Sequence, residues 1–539
     1  MSTPYLQPSG SSTGVPPALL GPRLRQALLV GVGAGLVPLA IALAIALSVP
    51  RPNLALAVGI AAGAVAVVVL VADTRLHVTV MLLALYLGLL DGPVKLGTGG
   101  HELASVGRDI LIFAVSLGAL LRLLASRQPI RLPPLSGWVV LFVALVLAEA
   151  FNPHTGGFVK ALGGFRQQLE FVPFFFFGYA IMRSKERFRK FFLLLGVIAL
   201  ANGIVSTYQT KLSPGQLASW GPGYSELVNG SNQGGKKGLS GRLYVSEGVA
   251  RVRPPGLGKD AGFGGSIGLI AVPCTLALLA TWRGRRRWLG LVLCLGALLG
   301  VVTGLGRLQV VGAVLALLAF ALLSASAGRR ITRPLGALVV VLALAFPLGA
   351  LLVSIEAPGT FNRYAEIAPA NAVSAKDKKT GELSLLPHQL SVAPLGVGLA
   401  SAGAASGFGG QVSERLEGHS VGAETQFNFS ADELGLPGVL LWIGIVLNLI
   451  WLALRRLRGV ADVELRIDLA AVFALPVAFL IMGLSGPILG SSAAGPYFWF
   501  ATGIAAYWFA GPGRRLAAKN DGGSRVGAQG GPRQATAAS

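Results

Sequence analysis

Apolar runs close to the ~20 residues needed to cross a bilayer recur almost from end to end of this 539-residue chain. Inside hydrocarbon every backbone N–H and C=O must find a partner within the chain, so such runs fold as helices. Only 13% of the residues are charged and 53% are hydrophobic, about half the charge share of an ordinary soluble domain. The expected fold class is an all-α polytopic membrane protein with about 12–14 transmembrane helices. Apolar windows place spans near 26–48, 54–72, 76–91, 106–125, 135–150, 168–182, 188–206, 263–282, 288–304, 308–327, 335–354, 433–454, 468–486 and 496–511.

A net charge of +22 would point to nucleic acid in a soluble protein. Cytoplasmic loops of membrane proteins collect Lys and Arg, however, so no nucleic-acid partner is expected. With the N-terminus inside and strict alternation, about 27 of the 45 Lys and Arg fall in inner segments. About 12 fall in two long outer loops and about 6 in short outer loops. Shifting the frame by one span inverts the bias, so both termini are expected in the cytoplasm. The segments are then a disordered N-terminus 1–25, N-terminal spans 26–206, outer loop 207–262 and central spans 263–354. A second outer loop 355–432, C-terminal spans 433–511 and a disordered tail 512–539 follow. Cys274 and Cys294 both lie in apolar runs and offer neither a disulfide framework nor metal-ligand spacing. No cleavable signal peptide is evident.

Four constellations carry candidate chemistry. Arg251 and Arg253 precede a Pro/Gly turn in RVRPPGLGKDAGFGG, ahead of the span at 263. A planar guanidinium suits a pyrophosphate, because it donates paired hydrogen bonds and keeps its charge. The plainer reading is a solvated turn whose arginines meet anionic lipid head groups. Arg307 ends the short outer turn TGLGR, where it can meet a membrane-anchored phosphate or simply snorkel to the interface. In GGFRQQLE, Arg166 and Glu170 stand four apart, a spacing that pairs them on one helix face. Such an ion pair at the head of a span competes with a substrate role for Arg166.

The fourth is the polar, Gly-rich stretch 394–438, with His419, Glu424, Asp432 and Glu433. Ser430 to Glu433 has the S-x-x-E spacing of a capping box, which starts a helix there and gives Glu433 a capping role. Glu424 has no such role and is the candidate general base, with His419 in reserve. No Walker GxxxxGK[ST], HExxH or paired-Cys motif occurs, so neither a cofactor nor a metal is expected. Asp109, Glu149 and Glu170 all lie near span ends, so the mid-membrane ionisable groups of a proton-coupled transporter are not expected.

PLGVGLASAG followed by ETQFNFSADELGLPG, after an outer loop of this size, resembles the C-terminal half of the O-antigen ligase and O-antigen polymerase (Wzy-type) superfamily. RPPGLGKDAGFGG and TGLGR resemble that family's outer arginine sites, and GPYFWFATG its last span; the resemblance covers roughly residues 160–510. It implies a GT-C-like fold and a metal-independent, inverting glycosyltransferase of the bacterial plasma (inner) membrane. The donor would be an undecaprenyl-pyrophosphate-linked oligosaccharide, and the acceptor another lipid-linked glycan (polymerase) or lipid A core (ligase). A chain-length regulator or export complex and membrane lipids would be partners. By matching positions Arg253 and Arg307 would neutralise the departing pyrophosphate, with Arg166 assisting. The ligases typically carry a His where this chain has Glu424-Thr425-Gln426, which favours a polymerase of exopolysaccharide or O-antigen repeats. A flippase of lipid-linked glycans and a structural partner in a cell-envelope complex remain as competing expectations.

Overall fold

A computed structural model describes residues 76–97, 102–125, 132–229, 243–246, 249–325, 383–407, 425–484 and 486–514. In chain order the helices are α1 (Leu76–Gly97), α2 (Glu102–Ala125), α3 (Ser136–Glu149), α4 (Phe158–Leu169), α5 (Pro173–Ile181) and α6 (Lys185–Lys211). Short helices α7 (Pro214–Ala218) and α8 (Pro222–Asn229) precede the antiparallel hairpin of β1 (Leu243–Ser246) and β2 (Val249–Val252). Then come α9 (Phe263–Thr281), α10 (Arg285–Thr303), α11 (Arg307–Ala325) and α12 (383–392). The last three are α13 (Gln426–Arg456), α14 (Val463–Met482) and α15 (Ala494–Trp508).

Seven helices are long and apolar enough to cross a membrane: α1, α6, α9, α10, α11, α13 and α14. This is the architecture of a polytopic membrane protein. Four further apolar windows are helical but are shorter or more charged: α2, α3, the broken pair α4–α5, and α15. The windows at 26–48, 54–72 and 335–354 lie outside the described residues. The loop expected at 207–262 is partly built: α6 runs on to Lys211, and α7, α8 and the hairpin follow it.

Between apolar helices in lipid, tight packing replaces the hydrophobic driving force, and small residues permit it. A Cβ at Gly268 of α9 would lie 2.4 Å from the Ala297 carbonyl oxygen of α10, and one at Gly203 of α6 would lie 2.6 Å from that of Gly296. These glycines bring α6, α9 and α10 together backbone to backbone. The aromatic helices α5 and α15 do the same: Cβ atoms at Gly178 and Gly503 would sit 2.2 Å from the Phe500 oxygen and 2.0 Å from the Phe175 oxygen. Around them Phe142, Phe175, Phe498 and Trp499 fill the core.

Helix ends gather at two faces of this bundle. At the short-loop end, Asp462 caps α14 by accepting from Glu464 N (3.0 Å) and Leu465 N (3.2 Å). It also pairs with Lys185 of α6 at 2.6 Å. Burial alone would raise the Asp462 carboxyl, but Lys185 and the cap hydrogen bonds hold it below the usual range. Trp508 Nε1 at the end of α15 donates to the Met182 oxygen (2.7 Å) beyond α5. The long-loop end collects the start of α2, the head of α4, the starts of α9, α11, α13 and α15, and the ends of α1, α10 and α14.

Replacing Gly503 by Leu should destabilise the fold by about 3 kcal/mol, because the new side chain has only backbone to displace. Thermal unfolding in detergent checks this, and Gly137→Leu, at a glycine with nothing within 4 Å, should be near neutral.

Candidate functional site

At the long-loop end α4 carries RQQLE, and its side chains reach in two directions. Gln167 Nε2 and Gln168 Nε2 donate to the two carboxylate oxygens of Glu433 at 2.9 and 2.7 Å. Ala402 N adds a third donor at 3.4 Å. Gln167 also clasps the Gly-rich loop, donating to the Ala402 oxygen (3.0 Å) and accepting from Ala405 N (2.8 Å). Lys160, two turns earlier on the same face, donates to the Ser406 oxygen (3.2 Å), and burial pushes its ammonium below the ordinary range. The segment 394–407 is therefore strapped between α4 and α13.

Helix α13 receives this loop at a built-in break. Thr425 caps it, its hydroxyl accepting from Asn428 N at 3.0 Å. Ten residues on, Gly435 leaves helical geometry (φ 64°, ψ −160°), and Pro437 follows without an N–H to give. The loop fills the freed positions: Leu436 N donates to the Pro394 oxygen (2.8 Å) and Val397 N to the Asp432 oxygen (2.6 Å). A Cβ at Gly435 would lie 2.3 Å from the Leu395 carbonyl carbon, so no side chain fits there. Gln426 ties the same helix start to the α14–α15 linker, its Oε1 accepting from Ile488 N (2.7 Å) and Leu489 N (2.9 Å).

The other face of α4 meets a buried charge network. Arg108 of α2 donates to Glu170 Oε2 at 2.6 Å and to Asp109 at 3.3 Å, and lies 3.7 Å from Asp91 of α1. Lys95 pairs with Asp91 at 3.0 Å, and Arg166 pairs with Asp109. Arg108 and Lys95 are each 4% exposed in their side chains, whereas Arg166 is 28% exposed. Arg166 is thus the cation of this network that solvent can reach. The Arg108 guanidinium also rests 5.6 Å from the Phe171 ring.

The arginine turns close the ring. Leu257 and Gly258 pack against Gly92 of α1, where a Cβ would be 2.4 Å from the Leu257 oxygen. Asp260 accepts from Ser492 Oγ of the α14–α15 linker at 3.2 Å. At Gly262 a Cβ would have the Gly304 oxygen at 3.3 Å, Gln309 Nε2 at 3.5 Å and Arg253 Nη1 at 3.7 Å around it. Arg253 therefore stands against the TGLGR turn and the first turn of α11, which opens with Arg307. Gln309 Nε2 donates to Ser266 Oγ (3.3 Å).

Of the residues singled out from sequence, Arg166, Arg253 and Arg307 lie at this one end of the bundle. Arg251 stands in β2 opposite Tyr244. Glu424 and His419 lie outside the described residues. Two expectations need correction. Arg166 and Glu170 do not pair with each other, because Asp109 and Arg108 on α2 offer buried partners to each. Glu433 is not a cap: the helix starts seven residues earlier, at Gln426, and Glu433 is a fully buried acceptor. Buried ionisable groups stand near helix ends: Asp91 and Lys95 in the last two turns of α1, Arg108 in the second turn of α2 and Asp468 in the second turn of α14. Sequence reasoning passed over Gln167, Gln168 and Arg108. Their only signal was polarity at the head of apolar spans, in GGFRQQLE and VGRD. Compared with protein-family models, with curated proteins and with solved structures, the chain matches none.

Glu433→Gln should cost about 1–3 kcal/mol, since its single amide oxygen can accept from only one of the Gln167 and Gln168 donors and its N–H₂ would face the other. Faster hydrogen exchange in 394–407, with exchange in α10 and α14 unchanged, checks that the loss is local.

Proposed function

We propose that the chain is a membrane glycosyltransferase that elongates a polysaccharide, taking glycan from a polyprenyl-pyrophosphate donor on the outer face of the membrane. The observation that supports it is the gathering of Arg166, Arg253 and Arg307 at one end of an apolar bundle, around the head of α13. In this reading the long-loop end faces outward, both termini are cytoplasmic, and the membrane is a bacterial inner membrane. An acceptor hydroxyl oxygen attacks the anomeric carbon, and its proton passes to Glu424 or, failing that, His419. The bond from the anomeric carbon to the pyrophosphate oxygen breaks, and the pyrophosphate leaves with the electron pair. Its charge grows as that bond lengthens, so fixed guanidinium groups stabilise the transition state more than the ground state. Asp109 suits this task as a support, because its ion pair holds Arg166 at the exposed edge of the charge network. Transfer to lipid A core in place of another repeat unit uses the same donor chemistry.

A second reading, movement of the lipid-linked glycan without transfer, draws support from the buried charges on α1, α2 and α14. Purified protein in nanodiscs, given an undecaprenyl-pyrophosphate oligosaccharide, separates the two. The polymerase reading expects a ladder of longer lipid-linked glycans. Arg253→Ala and Arg307→Ala together should lower elongation by about 10²–10³-fold with the protein still folded, and Glu424→Ala should abolish it. A normal ladder from the double variant would sink the assignment. Binding without elongation, even after lipid A core is added, would favour movement.

A further inference from the structure

Glu464 and Asp468 stand four apart on one face of α14. Glu464 is partly exposed and takes Lys185 Nζ at 3.3 Å and Arg189 Nη2 at 2.7 Å, both from α6. Asp468, one turn deeper, is fully buried, and neither carboxylate oxygen accepts a hydrogen bond. Arg189 Nε is also buried and donates to nothing. An orphaned acceptor and an orphaned donor thus share one stretch of the α6–α14 contact, while Arg189 remains engaged with Glu464. Around Asp468 the helix is Leu469, Ala470, Ala471 and Val472, all fully buried. The charged groups that bear on it are Arg189 and Lys185 of α6 and Glu464 and Asp462 of its own helix. On α9 Cys274 lies within electrostatic range of it, and the Cys274 sulfur lies 3.7 Å from the Tyr497 hydroxyl of α15.

An ionised carboxylate in such surroundings needs a paired cation or strong hydrogen bonds, and a neutral acid does not. A metal ion would need further ligands, and no three His, Cys, Asp or Glu side chains gather as a metal site among the described residues. We infer that Asp468 is a proton-binding site inside the bundle, and that proton loss there draws Arg189 one helical turn along α14, away from Glu464. The acid O–H bond breaks, the proton passes to water at the short-loop end, and the carboxylate left behind takes the Arg189 Nε–H. Glu464 then keeps Lys185 as its cation, while Arg189 bridges α6 to α14 one turn deeper, and reprotonation restores the Arg189–Glu464 pair. The site lies at the opposite end from the arginine turns and does not depend on what they bind.

Infrared difference spectroscopy of the full chain in nanodiscs, stepped through pH, tests this. The expected result is a protonated-carboxyl stretch that disappears as pH rises, is absent from Asp468→Asn and persists in Glu464→Gln, Cys274→Ser and Tyr497→Phe. Thermal stability should fall as pH rises from the ordinary carboxylate range toward this disappearance and level off beyond it, because the proton-bound acid is the form the fold accommodates, and the fall should be lost in Asp468→Asn. Arg189→Gln should shift the disappearance to higher pH, since the cation that rewards ionisation is gone. Should Asp468→Asn not fold, Asp468→Leu, apolar and larger, serves as the second variant. A folded variant that keeps the band overturns the proton site, and a band unmoved by Arg189→Gln overturns the relocation.

Discussion

The long-loop end is organised around one carboxylate taken wholly out of water. Glu433 survives at zero exposure because two glutamine amides and a backbone N–H meet it, and none of these donors belongs to its own helix. A buried acceptor of this kind is costly when unmet and directional when met. Satisfying it therefore sets three things together: the angle of α4, the path of the Gly-rich loop and the point where α13 breaks. The break is itself prepared by Gly435 and Pro437, whose missing helical hydrogen bonds are taken up by Pro394 and Val397 of the same loop. Loop and helix thus complete each other.

The two faces of α4 divide the work. Its glutamines hold protein to protein, while its charged residues join a network on α1 and α2 that includes Arg108, Asp109 and Asp91. Buried ion pairs seldom add net stability, since desolvation offsets attraction. Their effect here is positional: Arg108 is enclosed among three carboxylates, and Arg166 is left at the rim with one of its donors committed to Asp109. The short-loop end is built on a different balance. There Lys185 and Arg189 meet Asp462 and Glu464 in partly exposed pairs, with Asp468 beyond them in apolar surroundings. Partly exposed pairs exchange partners at small cost, which makes that end the more adjustable of the two.

How much of this was legible beforehand follows from the range of each signal. Helices at 185–211, 263–281, 285–303 and 463–482 could be read from apolar run length alone, because a bilayer selects on local composition. The gathering of arginine-bearing turns at one end could be anticipated, because strict alternation puts their helix ends together. Arg166 with Glu170, and Ser430 with Glu433, are the instructive failures. Both had the right spacing for a local contact, and both were outbid by partners from distant segments: Asp109 and Arg108 in the first case, Gln167, Gln168 and Ala402 in the second.

By itself, then, the sequence determined the helical class, the approximate positions of the spans and the partition of charge between two faces, since these depend on hydrophobicity summed over about 20 residues. Only the tertiary structure decided which donor meets which acceptor, where α13 bends and that Asp468 lies with no hydrogen bond inside the bundle. Those outcomes depend on distances between residues 60 to 270 positions apart, such as Arg108 with Glu170 and Gln167 with Glu433. Spacing along one helix carries no information about them, because it cannot say which other helix will be packed alongside.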